Sequence, residues 1–260
     1  MNHDAPVPSA DDPSSGEPRH EAPRFAPLYQ QVVGFITRGL QSGEWQPGEM
    51  IPGEQELAGR YRVSQGTVRK AIDRLVAEHM LVRRQGRGTF VATHQEPRAH
   101  FRFLRLRDSQ DRVPNFGSRI VGCRRQRAPQ DVARMLGLRT GESVIHIERV
   151  LDFDGTPTVL DHIWLPGARF RGLTAERVGS HEGPLYALFE SEFGTRMLSA
   201  RERVRAVAAT PEQAAALEIA PGAPLLLVER QSHTYEGEVV EFRSGLYRTD
   251  TYHYLSEVGR

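Results

Sequence analysis

Residues 64–69 combine side chains that can hold a phosphate with side chains that can recognise a base edge. Ser64 and Thr67 carry hydroxyls suited to phosphate oxygens. Gln65 has the paired donor and acceptor that match adenine, and Arg69 suits a phosphate or a guanine. The surrounding residues 54–91 hold eight basic and four acidic side chains, a local charge of +4 in a chain of formal net charge +1. Such a basic segment is typical of nucleic-acid binding, although a solvated surface gives the same composition.

A second candidate contact is the sequence Gln85-Gly86-Arg87-Gly88. Its two glycines favour a tight turn, and their lack of side chains lets the backbone approach a ligand closely. An arginine at the tip of such a turn can enter a narrow minor groove of DNA. The candidate nucleic-acid contacts are therefore the start of one helix and the tip of one hairpin.

The residue sets that would indicate catalysis are missing from the sequence. There is no Gly-x-Ser-x-Gly, no His-Glu-x-x-His and no glycine-rich phosphate loop. Cys123 is the only cysteine, so neither an internal disulfide nor a paired-cysteine zinc site can form. His146 and His162 lie near the candidate pocket introduced below, but isolated histidines are more typical of structural positions. We therefore expect no catalytic residue, no metal site and no cofactor.

The candidate nucleic-acid contacts lie on elements that the hydrophobic pattern predicts in a fixed order. Apolar residues at helical spacing predict a first helix that stops at Gly43 and a short second helix over residues 54–61. Ser64 is suited to cap a third helix that has an apolar stripe on one side. Strands over residues 81–84 and 89–92 then flank the glycine-containing turn. This order is that of a winged helix-turn-helix domain.

The C-terminal half of the sequence repeats itself. Pro129 and Asp154-Gly155 in one copy correspond to Pro211 and Glu236-Gly237 in the other, an offset of 82 residues. Each copy has the pattern of a helix, a glycine turn, a strand, a hairpin turn and a second strand. Apolar residues between 185 and 193 predict a further helix between the copies. Two such copies can pair into one antiparallel sheet with helices on a face, which predicts an α+β domain.

Composition divides the chain into four segments. Residues 1–24 contain five prolines and almost no apolar side chains, so they cannot bury enough surface to offset their ordering entropy, and we expect a disordered tail. The predicted winged helix covers 25–92, a linker covers 93–115, and the α+β domain covers 116–260. The sequence shows neither an apolar run of membrane-spanning length nor a secretory signal. With its single cysteine, the chain is expected in the cytoplasm, with no membrane partner.

Residues 27–92 resemble the DNA-binding domain of the GntR family of bacterial repressors. The motifs that carry the resemblance are Pro27-Leu28-Tyr29, Gly43 with Pro47-Gly48, Ile51-Pro52-x-Glu54-x-Glu56-Leu57-Ala58, Val63-Ser64-x-x-Thr67-Val68-Arg69-x-Ala71, and Gln85-Gly86-x-Gly88-Thr89-Phe90-Val91. Together with the side-chain chemistry above, the resemblance predicts eight DNA-contacting residues, which are Gln55, Ser64, Gln65, Thr67, Arg69, Gln85, Gly86 and Arg87.

The C-terminal segment resembles the UTRA effector domain of the HutC subfamily, whose fold is similar to that of chorismate lyase. The resemblance rests on Glu148-Arg149, Asp154-Gly155-x-Pro157, Trp164-Leu165-Pro166, Leu225 with Val228-x-Arg230, Val240-Glu241 and Tyr247-Arg248-x-Asp250. It implies a small-molecule pocket at one end of the sheet, lined by Arg149, Asp161, Glu241 and Tyr247. An arginine suits a carboxylate or phosphate, the two acids accept hydrogen bonds, and the tyrosine adds a donor and a stacking face.

Simpler explanations of these four pocket positions remain open. Arg149 could pair with an acid across the sheet, and Asp161 could be a surface residue at the end of a strand. Members of the family that bind phosphosugars tend to have arginine and serine where Leu151 and Pro184 stand here. We therefore expect an effector that is not a phosphosugar but a less charged carboxylate or an amine-containing metabolite.

The sequence also departs from the family on its DNA-binding side. Gln55 and Gln65 occupy positions that usually carry arginine, which predicts weaker phosphate attraction and a shifted operator sequence rather than a loss of DNA binding. The function that follows is a sequence-specific transcription regulator, expected to be a repressor that a small-molecule effector releases from palindromic operator DNA. Because a winged helix recognises one half-site, we expect a homodimer joined through residues 116–260. The alternative is a chorismate-lyase-like enzyme carried on a winged helix.

Overall fold

A computed structural model describes residues 26–95, 105–113 and 115–256. Its N-terminal domain follows the predicted order, except that the second strand of the hairpin begins one residue early, at Gly88. The predicted tail and residues 96–104 of the predicted linker lie outside the described residues. The elements of this domain are α1 (Leu28–Gln41), α2 (Glu54–Tyr61), α3 (Gln65–Ala77), β1 (Leu81–Arg84) and β2 (Gly88–Val91).

One apolar core joins the three helices to the hairpin of the N-terminal domain. Ile36, Leu57, Ile72, Leu75 and Leu81 come from all these elements, and each is at most 2% exposed. Because burying such a side chain stabilises a fold by about 1.5–3 kcal/mol, these contacts fix how α3 is placed against the hairpin. The core therefore serves as a rigid base for the two candidate DNA contacts.

Ser64 caps α3 as the sequence predicts. Its side-chain Oγ accepts a hydrogen bond from the Thr67 backbone amide at 3.2 Å. The preceding helix α2 ends at Tyr61, and the next residue, Arg62, turns the chain in the left-handed conformation with a φ of 53°. A cap of this kind stabilises a helix by about 1 kcal/mol and fixes the residue at which the helix begins.

The C-terminal domain is built on one six-stranded antiparallel sheet, in the order β4-β5-β6-β9-β8-β7. The two predicted repeats supply the four central strands, which confirms that the copies pair into one sheet. The edge strands β4 and β7 precede each copy along the chain. The strands are β4 (Phe116–Arg127), β5 (Ser143–Phe153), β6 (Thr156–Pro166), β7 (Ser199–Ala208), β8 (Pro224–His233) and β9 (Val239–Tyr247).

Helices cover both faces of this sheet. The helix of each repeat, α4 (Gln130–Leu136) or α7 (Pro211–Leu217), packs on one face. On the other face lie α5 (Ala175–Ser180) and α6 (Leu185–Phe193), against Ile145, Ile147 and Ile163 among other residues. Within the described part of the chain, no helix has the length and apolar content needed to cross a membrane.

Part of the predicted linker belongs to the C-terminal domain. Strand β3 (Leu106–Arg107) pairs with β10 (His253–Tyr254), and Leu106 is fully buried among residues of the sheet. The expectation of a linker over these positions is therefore wrong. A two-residue strand has too few side chains to show an alternating pattern, and its partner lies almost 150 residues away in the sequence.

Candidate functional site

The start of α3 and the tip of the hairpin are exposed on the N-terminal domain. Seven of the eight predicted DNA-contacting residues fall at these two places, and the eighth, Gln55, is in α2. Thr67 is half-buried, and the remaining seven are exposed. Gly86 has a φ of 69°, so the hairpin turn needs a residue that adopts the left-handed conformation easily.

A groove joins these elements into one surface. Gln55 in α2, Gln65 at the start of α3, and Gly88 with Thr89 in the hairpin all line this groove. Both glutamines that replace the usual arginines therefore lie beside the hairpin. The structure brings together residues that are more than 30 positions apart in the sequence, in an arrangement that suits one DNA surface.

Glu54 organises the charges beside this groove. Its carboxylate accepts hydrogen bonds from Arg69 at 2.9 Å and from Arg83 at 3.2 Å, and Gln65 donates to it at 3.4 Å. The hydrogen bond from Arg69 holds the pKa of Glu54 below its usual range. Arg69 keeps 58% of its side chain exposed, so part of its guanidinium stays accessible. Sequence reasoning missed Glu54 and Arg83, although Glu54 stands inside one of the recognised motifs.

A buried ionic cluster lies in the C-terminal domain, where Arg149 and Asp161 face each other across β5 and β6. Arg149 Nε and Nη2 both donate to Asp161 Oδ2, at 3.1 and 2.9 Å, and Arg243 Nη1 donates to the same oxygen at 3.3 Å. The pairing of Arg149 with an acid is thus present. Asp161 is only 1% exposed, so it is not a surface residue.

Burial and charge oppose each other in this cluster. Burial raises the pKa of Asp161, but Arg243 and Arg149 outweigh burial and hold that pKa below its usual range. Burial also lowers the pKa of Arg149, against the attraction of Asp161. The cluster is therefore ionised, and Glu241, which pairs with Arg243 at 2.9 Å, supplies the second negative charge that balances its two arginines. Removal of one charge would leave its partners unpaired in a low-dielectric interior.

The second oxygen of Asp161 has no hydrogen-bond partner among the described residues. Oδ1 is buried and accepts no hydrogen bond from the described residues. It lies over Gly245, where an added Cβ would be 2.8 Å from Oδ1 and 2.5 Å from the Tyr247 ring. The glycine therefore provides the space that the carboxylate and the ring occupy. Sequence reasoning did not identify Gly245.

Glu241 lies behind the cluster rather than on the wall of the pocket. It is fully buried, and its oxygens accept hydrogen bonds from Tyr186 Oη at 2.7 Å, Ser232 Oγ at 3.0 Å and Arg243 Nη2 at 2.9 Å. Sequence reasoning missed these three partners. For Arg243 a signal existed, because alternate residues of a strand share a face and Glu241 is two positions away.

A pocket opens beside the ionic cluster on the face of the sheet that carries α6. Arg149, Asp161 and Tyr247 line it, so the structure brings together three of the four predicted effector-binding residues and places Glu241 just behind them. The wall also includes Leu151 and Pro184, the two apolar side chains at positions where phosphosugar-binding members of the family tend to have arginine and serine. The remaining lining residues are Phe116, Ser118, Gly183, Leu185, Tyr186, Arg230 and Arg243.

The two histidines singled out in the sequence are not part of this pocket. His146 and His162 are separated from Arg149 and Asp161 by odd numbers of residues along β5 and β6, so their side chains are on the opposite face of the sheet. Their rings stack with centroids 5.4 Å apart, and His146 also stacks on Trp164. The expectation that they lie near the pocket is wrong, and their packing is structural.

Two family models match the chain. The model described as bacterial regulatory proteins, gntR family, matches residues 28–91, and the UTRA domain model matches residues 111–253. The chain is 29% identical to the HTH-type transcriptional repressor NagR of Bacillus subtilis, over 90% of this chain and 96% of that protein. It is 27% identical to the histidine utilization repressor of Pseudomonas putida, over 80% of this chain and 82% of that protein.

Two solved structures of regulators resemble this chain. A structure described as the ligand-binding domain of a GntR-family regulator from Bordetella bronchiseptica is 51% identical, with a TM-score of 0.59, and covers 60% of this chain and 98% of its own. PhnF from Mycobacterium smegmatis is 28% identical, with a TM-score of 0.50, and covers 85% of this chain and 95% of its own. The predicted architecture is confirmed, and the enzyme alternative is not supported. The chain belongs to the HutC subfamily of the GntR family, and it is a DNA-binding transcription regulator with a UTRA effector domain.

Proposed function

We propose that this regulator represses transcription as a cytoplasmic homodimer on a palindromic operator, and that a small molecule other than a phosphosugar releases it. Both relatives described above are named repressors, which favours repression over activation. In this proposal the N-terminal domain recognises the operator, and the pocket beside the ionic cluster binds the effector.

The exposed surface formed by α3 and the hairpin supports the proposed DNA contacts. The N-terminal residues of a recognition helix contact base edges in the major groove, which is where Gln65 and Arg69 lie. Arg87 at the hairpin tip is exposed and suits the adjacent minor groove. The proposed operator recognition rests on the groove that places Gln55, Gln65 and the hairpin side by side.

One winged helix contacts only one half-site, so a palindrome requires two copies. We assign the joining surface to the C-terminal domain, which leaves the DNA-binding surfaces of both copies free. Light scattering on the purified full chain tests this point. A mass of two chains at micromolar concentration supports the dimer, and a single-chain mass with and without operator DNA contradicts it.

The pocket is suited to an effector of modest charge. Its arginines are neutralised by Asp161, Glu241 and Glu202, so a dianionic phosphate would find no surplus positive charge. Asp161 Oδ1, which has no hydrogen-bond partner in the described part of the chain, suits a donor such as an amine or hydroxyl. Leu151 and Pro184 supply apolar contact where phosphosugar-binding relatives have polar groups. These features favour a carboxylate or amine-containing metabolite.

Selection of DNA from a random pool by the purified full chain tests the operator proposal. Enrichment of a short inverted repeat supports it, and the site also locates the controlled genes. A parallel selection with Gln65→Arg should move the preferred base toward guanine. Identical consensus sites from both proteins would contradict the assigned role of Gln65.

A thermal-shift panel tests the effector proposal. Amino acids, small carboxylates and amines should raise the melting temperature of the full chain, and glucosamine 6-phosphate and other sugar phosphates should not. A ligand at 100 times its dissociation constant stabilises a protein by about 2.7 kcal/mol, which is easily detected. Strong stabilisation by a sugar phosphate, with none by the other classes, would overturn the proposal.

A further inference from the structure

Helix α6 connects the pocket to the junction between the two domains. Its first residues, Leu185 and Tyr186, line the pocket. Glu190 lies four positions after Tyr186, on the same side of the helix. Glu190 is 5% exposed and contacts the segment that leaves the hairpin of the N-terminal domain. A nine-residue helix thus contacts both functional regions.

At the junction, the Glu190 carboxylate binds the chain just after the hairpin. Its Oε2 accepts hydrogen bonds from Thr93 Oγ1 at 2.5 Å and from the His94 backbone amide at 2.8 Å. Residues 93 and 94 directly follow strand β2 and its neighbour Ala92. Glu190 therefore holds the chain at the base of the hairpin.

Arg196 binds the other element that carries DNA contacts. Its Nη1 and Nη2 donate to the Met80 and His79 carbonyls, at 3.2 and 3.0 Å, just after the C-terminal end of α3. A guanidinium at this end of a helix is favoured by the helix dipole. Arg196 Nε also lies 3.4 Å from Glu190 Oε1. One buried ion pair therefore contacts both the segment after the hairpin and the end of α3.

Tyr186 links this ion pair to the effector pocket. Its hydroxyl donates to Glu241 at 2.7 Å and lies 3.1 Å from Ser232 Oγ, within the hydrogen-bond network of the ionic cluster. Its ring packs edge-to-face on His94, with centroids 5.5 Å apart. The same side chain therefore contacts the pocket, the buried Glu241 and the segment that Glu190 holds.

We propose that Tyr186, Glu190 and Arg196 form a coupling latch that transmits occupancy of the pocket to α3 and the hairpin. A ligand that donates a hydrogen bond to Asp161 weakens the attraction between Asp161 and Arg243. Arg243 then shifts against Glu241, and the Tyr186 hydroxyl that donates to Glu241 moves with it. The shift of α6 then changes the contacts of Glu190 and Arg196 with the N-terminal domain. This inference rests on the proposed function only for the identity of the pocket as the effector site.

Hydrogen–deuterium exchange on the full chain tests the coupling latch without DNA or ligand. Tyr186→Phe removes the hydroxyl contacts but keeps the ring on His94, and Ser232→Ala perturbs the same hydroxyl from the other side. Both should accelerate exchange of residues 91–95, by about threefold to tenfold at the His94 amide. Glu190→Gln weakens the hydrogen bond from the His94 amide itself, and it should accelerate exchange of that amide by about tenfold. Tyr252→Phe is the matched control, because this tyrosine lies outside the pocket and packs on the cluster around Leu106 and Phe153, and it should leave residues 91–95 unchanged.

Two results would overturn the proposal. One is unchanged exchange in Glu190→Gln, which would mean that the carboxylate does not hold the segment. The other is acceleration by Glu190→Gln alone, with Tyr186→Phe and Ser232→Ala at the wild-type rate. Neither depends on operator selection, so failure of the latch and failure of the proposed function are distinguishable.

Discussion

The two candidate sites place their charges in opposite environments. Beside the DNA-binding groove, Arg69 and Arg83 pair with Glu54 at the surface and stay about half exposed. In the pocket, Arg149 and Arg243 pair with Asp161 at 10% exposure or less. Exposed ion pairs contribute about 0–1 kcal/mol to stability, whereas breaking a buried pair costs about 3–5 kcal/mol. Residues of the proposed DNA-binding surface can therefore change at little cost to the fold, whereas those of the proposed effector pocket would combine stability with ligand binding.

Asp161→Ala should give the largest effect on stability. It leaves Arg149 and Arg243 without their shared carboxylate in the interior, so we expect a loss of about 3–5 kcal/mol in the free energy of unfolding. Urea denaturation of the full chain measures it, followed by tryptophan fluorescence in a Trp45→Phe background, so that Trp164 alone reports on the C-terminal domain.

The matched control is Asp154→Asn, which changes an acid in the exposed hairpin turn of the same domain. Asparagine tolerates the positive φ at this position, so this variant should unfold within about 0.5 kcal/mol of the wild type. A loss below about 1 kcal/mol for Asp161→Ala would contradict the contrast between the two sites.

Gly245→Ala tests the tight packing around Asp161 by adding a single methyl group. The new Cβ would meet the Tyr247 ring and Asp161 Oδ1 at distances that require both to move. We expect a loss of about 1–3 kcal/mol and weaker effector binding. Gly117→Ala, at an edge-strand position with open space, is the control and should cost less than 0.5 kcal/mol. Equal unfolding midpoints for the two variants would show that the space over Gly245 is not needed.

The stability of the C-terminal domain should depend on pH through His146. Burial, helped by His162 and Arg124, lowers the pKa of His146 to about 4 from an ordinary value of 6.5. Between these pH values the unfolded chain binds more protons, so His146 should make the C-terminal domain less stable as the pH falls from 6.5 to 4, by up to about 3 kcal/mol. His146→Phe should remove this component, and an unchanged pH profile would show that His146 is not buried in its neutral form.

Arg69→Ala should have the smallest effect on stability and a clear effect on DNA binding. Its pair with Glu54 is exposed to solvent, so its loss should change stability little. If Arg69 contacts a phosphate, the slope of log K against log salt for operator binding should become shallower by about one. Fluorescence anisotropy at several salt concentrations measures the slope. A marked fall in the unfolding midpoint, or an unchanged slope with unchanged affinity, would contradict the assignment.

More of the N-terminal domain than of the C-terminal domain could be predicted from the sequence. The winged helix could be predicted almost residue by residue, because Ser64, the glycine turn and the apolar stripes are local signals. The repeat predicted the central strands of the sheet for the same reason. The cluster around Asp161 was only partly found, since its members come from four strands and α6. The contact of Glu190 with residues 93 and 94 joins positions 96 or more apart, and no sequence periodicity indicates such a pairing.

The most direct test of the account is the affinity of the full chain for its selected operator and for a scrambled site of the same length, at 50 and 200 mM salt. The account predicts binding at least about a thousandfold tighter to the selected site, and a steep loss of affinity at the higher salt for both DNAs. Equal affinity for the two DNAs, or binding that does not depend on salt, would contradict the claim that α3 and the hairpin recognise a specific operator.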